Sequence, residues 1–122
     1  MGQEGRIALA GMVMKLFDLW KLPEADKLAF LGLSTGSRMT LNRYQRGGPP
    51  NDNRDLMDRV SNLLAIHRSL RILYPHNKEI LYEWISTPNL DFGGKAPAAV
   101  VCEEGFLGLL MIKRYLDHER GR

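Results

Sequence analysis

Apolar residues recur every three or four positions along most of this chain, and almost nowhere alternate with polar ones, which is the pattern of packed helices rather than sheets. Leu9, Met12, Val13, Leu16, Phe17 and Trp20 define a first helix over about 6 to 21, bracketed by Gly5 and Pro23. Pro23 suits the entrance of a second helix, with Glu24 and Asp26 near its positive end and Leu28, Ala29 and Leu31 turned inward, ending near Gly32. The turn residues Ser34 to Ser37 follow, and Thr35 or Ser37 is placed to cap a third helix through Met39, Leu41 and Tyr44, stopped by Gly47-Gly48-Pro49-Pro50. Asn51 or Asp52 then starts the longest helix, whose face Leu56, Val60, Leu63, Leu64, His67, Leu70 and Tyr74 advances to Pro75.

The second half continues in the same way. His76 to Glu79 opens a shorter helix with Ile80, Leu81, Trp84 and Ile85 on one side, closed by Thr87-Pro88, and Trp84 reads as core. Asn89 to Lys95, with its two glycines, reads as a loop. Ala96 to Glu104 is expected as a short helix beginning at Pro97, and Gly105 separates it from a last helix over Phe106 to about His118. Ala98 to Cys102 is a weak strand candidate in a chain otherwise predicted all-α. The predicted architecture is a helix-turn-helix-like part over residues 6–64 packed on a helical part over 65–120.

Composition narrows the classes of function. The chain of 122 residues, 44% hydrophobic and 25% charged, fits one folded body rather than a disordered segment. It shows neither an apolar run long enough to span a bilayer nor the regions of a signal peptide. The lone Cys102 fits a reducing compartment, and a cytoplasmic location without membrane attachment is expected. His67, His76, His118 and Cys102 lack metal-ligand spacing, and the carboxylates near Cys102 raise a thiol's pKa rather than activate it. Gly93-Gly94-Lys95 lacks the full spacing of a phosphate-binding loop, and Asp52, Asp55 and Asp58 lie among arginines as on a solvated face. No catalytic residue, metal site or cofactor is expected, and the chain reads as a binding protein rather than an enzyme.

Charge is placed unevenly. The formal net charge is only +3, yet Lys27, Arg38, Arg43 and Arg46 occupy an interval between Asp26 and Asp52 that holds no acid. With the second and third helices these residues outline a helix-turn-helix, in which Ser37, Arg38, Thr40, Asn42 and Arg43 would face base edges or phosphates and Arg46 the backbone. A solvated basic face on a three-helix packing would leave the same pattern.

The run Leu33-Ser34, then Arg38 to Tyr44, resembles an Xre-type repressor. More specifically, Leu70-Arg71-Ile72-Leu73-Tyr74-Pro75, Trp84, Pro88-Asn89, Gly93, Pro97, Gly105 and Tyr115-Leu116 together resemble the toxin-binding domain of Xre/MbcA/ParS-type bacterial antitoxins. The resemblance implies an antitoxin of a type II pair that blocks the active-site cleft of a RES-type toxin, one that consumes NAD or transfers ADP-ribose from it, and represses its own operon through operator DNA. It implies a homodimer, or a higher hetero-oligomer with the toxin. Gly93, Gly94, Lys95, Lys113, Arg114, Tyr115, His118, Arg120 and Arg122 are the candidate toxin contacts, although basic residues in a last helical turn also stabilise the helix itself. A stand-alone helix-turn-helix transcriptional regulator is the competing expectation.

Overall fold

A computed structural model describes residues 2–122. It contains α1 (Gln3–Leu19), α2 (Glu24–Phe30), α3 (Arg38–Gln45), α4 (Arg54–Leu73), α5 (Lys78–Glu83), α6 (Pro97–Glu104) and α7 (Phe106–Arg120), with 3-10 turns at Trp84–Ser86 and Leu90–Phe92. Among the described residues the only β pairing is an isolated bridge between Asn89 and Lys95. The all-helical expectation therefore holds, and Ala98 to Cys102, the strand candidate, lies inside α6.

α4 is the central element. Asn53 rather than Asn51 or Asp52 starts it, because the Asn53 side chain accepts a hydrogen bond from Leu56 N at 3.2 Å. The fully buried stripe is Leu56, Val60, Leu63, Ile66 and Leu70. Ile66 takes the place expected of Leu64 and His67, which lie half-buried at the edge of the stripe. α4 packs against α1 on one side and α7 on the other, so the N-terminal helices sit on the C-terminal ones through it, and α2 adds a contact to α6. The helix runs unbroken through residues 64 and 65, where the sequence had suggested a division.

The N-terminal part is held by aromatic packing. Phe17, Trp20 and Phe30 form a buried trio with ring centroids 5.9–6.5 Å apart, two of the three contacts edge to face. Arg59 of α4 ties the trio's helices to the C-terminal part: its guanidinium donates to Ala29 O at 3.3 Å, bonds Asp55 at 3.0 Å and lies 5.6 Å from the centre of the Phe106 ring. Ser37 bounds α3 without capping it, since its hydroxyl is engaged with that of Ser34 at 3.0 Å.

Two departures shape the C-terminal part. α5 tightens into a 3-10 turn at Trp84, with Thr87 Oγ1 donating to Glu83 O at 2.7 Å. That turn leaves only Leu81 and Ile85 fully buried, with Ile80 exposed and Trp84 half-buried, instead of four residues on one inward face. The reversal between α6 and α7 uses Gly105 alone, at φ 64° and ψ −136°, a conformation open to glycine. It brings the helices so close that a Cβ on Gly108 would stand 2.6 Å from Val100 O and 2.8 Å from Val101 Cα. α7 continues to Arg120, beyond the expected stop near His118.

Gly108→Ala forces these two backbones apart. We expect a loss of about 1–3 kcal/mol of stability, typical of overpacking, read as a lower midpoint in thermal or urea unfolding. An unchanged midpoint would contradict the close packing.

Candidate functional site

The segment from Asn89 to Lys95 is a loop tied by its own backbone. Asn89 N donates to Lys95 O at 3.1 Å, Gly94 N to Asn89 O at 3.0 Å, Gly93 N to Leu90 O at 3.1 Å and Lys95 N to Phe92 O at 3.2 Å. The Asn89 side chain accepts from Asp91 N at 2.9 Å. Gly93 and Gly94 adopt φ of 67° and 85°, so the glycines serve the turn itself, as their spacing suggested.

Side chains then fix this loop on α7. The Tyr115 hydroxyl donates to Asp91 Oδ2 at 2.7 Å, and its ring lies 4.9 Å from Phe92 and 6.1 Å from Trp84, centre to centre. The bond to the Asp91 carboxylate, with partial burial, pushes the phenol up to about 12. Lys95 Nζ meets Glu103 Oε2 of α6 at 2.6 Å, and that contact raises the lysine's pKa. The exposed pair adds little stability but gives Lys95 a fixed direction.

The predicted tail contacts separate into two groups. Lys113 pairs with Asp117 at 2.9 Å, and Arg122 with Glu119 at 3.0 Å. Arg120 donates to the buried Ser69 hydroxyl of α4 at 3.2 Å and lies 3.9 Å from Asp117. Arg114 and His118 are exposed, one helical turn apart, and their side chains have no hydrogen-bond or ionic partner among the described residues. Of the nine tail and loop candidates, these two are free to meet a partner, while Gly93, Gly94, Lys95 and Tyr115 build the neighbouring loop.

Sequence reasoning passed over three features of this surface. Asp91 is the acceptor that orients Tyr115. Ser69 is the anchor of Arg120. Leu90 stands at the loop's tip with 92% of its surface exposed. The Asn89-x-Asp91 spacing, which favours a side-chain-closed turn, was the available signal for the first. No comparable signal marked Ser69 or Leu90.

The residues of the helix-turn-helix outline fall on and beside α3, which packs on α1 and α2. Arg38 is engaged with Glu24 at 3.3 Å, and Ser37 with Ser34. Arg43 donates to Asn51 Oδ1 at 3.2 Å with its guanidinium 5.4 Å from the Tyr44 ring centre. Thr40 and Asn42 are half-buried and Arg46 is exposed. The two sets of candidate contacts thus belong to different elements.

Elsewhere the chemistry is subdued. Burial and the Asp26 carboxylate, 3.5 Å from the sulfur, push the Cys102 thiol up to about 11; the adjacent Glu103 contributes less than Asp26, which the sequence did not bring near. His67 stacks on Tyr82, and burial together with Arg71 lowers its pKa. Among the described residues there is no group of three or more His, Cys, Asp or Glu placed to hold a metal, and no helix long and apolar enough to cross a membrane.

Tyr115→Phe keeps the ring packing and removes the bond to Asp91. We expect about 0.5–1.5 kcal/mol lost at the loop, with faster amide hydrogen exchange at Gly93 and Gly94 and little change in α4. Unchanged exchange would show that the loop holds without the Tyr115–Asp91 bond.

Comparison with known proteins agrees with the resemblance in the sequence. An uncharacterized protein of Sinorhizobium fredii (strain NBRC 101917 / NGR234), y4oB, is 28% identical over 107 residues, covering 88% of this chain and 80% of that protein. The family match is confined to the half that holds the tied loop and α7: residues 69–122 carry the pattern of the antitoxin Xre/MbcA/ParS C-terminal toxin-binding domain.

Proposed function

We propose that this chain is the antitoxin of a type II toxin–antitoxin pair and blocks the active-site cleft of a RES-type, NAD-consuming toxin. The observation that carries the reading is the match of residues 69–122 to a toxin-binding domain, on a surface where Arg114 and His118 are left unpaired beside a tied loop. Loss of nicotinamide from NAD develops positive charge at the ribosyl carbon, so a cleft that accelerates it carries electronegative groups there. The Arg114 guanidinium, always charged, is suited to occupy such a position, and the imidazole of His118 adds a second polar group one turn away.

A second role, repression of its own operon, is supported by the α2–turn–α3 arrangement and by the exposed Arg38, Arg43 and Arg46. Release of Arg38 from Glu24 and of Arg43 from Asn51 would accompany DNA contact. The reading further places the antitoxin in the cytoplasm, as a homodimer or in a larger assembly with its toxin.

The experiment measures cellular NAD in a host expressing the reading frame adjacent to this chain's own, with and without the antitoxin. NAD is expected to collapse with the adjacent protein alone, to be preserved by the wild-type chain and by Arg38→Ala/Arg43→Ala, and to fall again with Arg114→Ala/His118→Ala. Unaffected NAD throughout, with no co-purifying partner, would overturn the proposal in favour of a stand-alone DNA-binding regulator.

A further inference from the structure

Among the described residues eight large apolar side chains are exposed, and five of them are distributed over α1, α3, α4 and α5. Single exposed apolar residues are ordinary. The other three fall on the tied loop and on α7. Met111 lines one hollow of about 370 Å³ with Asp91, Phe92, Gly93 and Lys95 of the loop and with Val100, Glu103 and Glu104 of α6. Leu90 adjoins that rim and is the most exposed of the eight at 92%, and Leu107, 56% exposed, precedes Met111 (42%) by one turn of α7. The exposed face of α7 thus reads Leu107, Met111, Arg114, His118, apolar in its first half and basic in its second.

We infer that this face has two separate tasks toward the toxin: Leu90, Leu107 and Met111 grip an apolar surface at the rim of its cleft, while Arg114 and His118 enter the cleft and block it. The inference rests on the antitoxin reading and deepens it. Three observations support the division. The patch lies within the segment that matches a toxin-binding domain. The loop bearing Leu90 is tied by its backbone and by Tyr115, so presenting that side chain to a partner costs little ordering. Of the charges lining the hollow, Lys95 is paired with Glu103 and Asp91 accepts from Tyr115, while Glu104 has neither a hydrogen bond nor an ion pair among the described residues; the apolar centre lies beside the unpaired Arg114 and His118. That is the arrangement of an interface core with a polar margin, and it calls for a partner surface that is apolar and bordered by acidic groups.

The test uses the full chain and the purified protein of the adjacent reading frame, reading the dissociation constant and NAD turnover at saturating antitoxin. Leu90→Ser and Met111→Ser are expected to raise Kd on the order of 10–100-fold each while turnover is still suppressed once the site is filled. Arg114→Ala/His118→Ala is expected to keep Kd within about one order of magnitude but leave the saturated complex turning over NAD. Met39→Ser, also exposed but on α3, controls for a general loss of apolar surface and should leave Kd unchanged; matching unfolding midpoints confirm that the variants fold. Unchanged Kd for both Leu90→Ser and Met111→Ser, with tight wild-type binding, overturns the division and leaves the antitoxin reading standing. Absence of wild-type binding overturns both.

Discussion

The contact of Gly108 with the backbone of Val100 sets the geometry of the whole C-terminal half. A one-residue reversal at Gly105 is useful only if the two helices can then lie against each other, and a side chain at position 108 would hold them apart. Once α7 is seated on α6, its buried Leu109, Ile112 and Leu116 meet α4, and its opposite face is committed to solvent. Tyr115 is carried to Asp91 by the same docking. The surface offered to a partner is therefore a consequence of two glycines that make no contact with it.

This dependence explains why the site combines rigidity with free polar groups. Lys113, Arg120 and Arg122 are consumed by pairs that finish the last helix and tie it to α4, and such pairs contribute mainly direction where they are exposed. Arg114 and His118 form no ion pair with the acids of α7. Holding the frame with some cations while leaving others unpaired avoids burying a compensated charge that a partner would have to strip away. Arg59 extends the frame to the N-terminal helices through Ala29 and Phe106.

Much of the fold was legible because the signals were local. Pro97, Gly105 and the spacing from Leu56 to Leu70 placed α6, α7 and α4 to within a few residues. What could not be read depended on contacts far apart in sequence. Trp84 has the spacing of a core residue, yet the 3-10 turn brings it only half inward, where it stacks on Tyr115, thirty-one positions later. Arg120 reads like a free cation in a basic tail, and only its partner Ser69, on another helix, shows otherwise. Cys102 was expected to have a raised pKa from its sequence neighbours; the direction was right, but Asp26 of α2 outweighs Glu103. The nine tail and loop candidates were thus marked as a group by the sequence, and sorted into supports and free groups only by tertiary packing.

The central claim is that a partner protein is engaged by the tied loop and the exposed face of α7, not by α3. Hydrogen exchange of this chain alone and in complex with the product of the adjacent reading frame tests it most directly. The account predicts slowed exchange over residues 88–95 and 106–118, with residues 37–46 unchanged. Slowing confined to residues 37–46, in a complex that otherwise forms tightly, would contradict it.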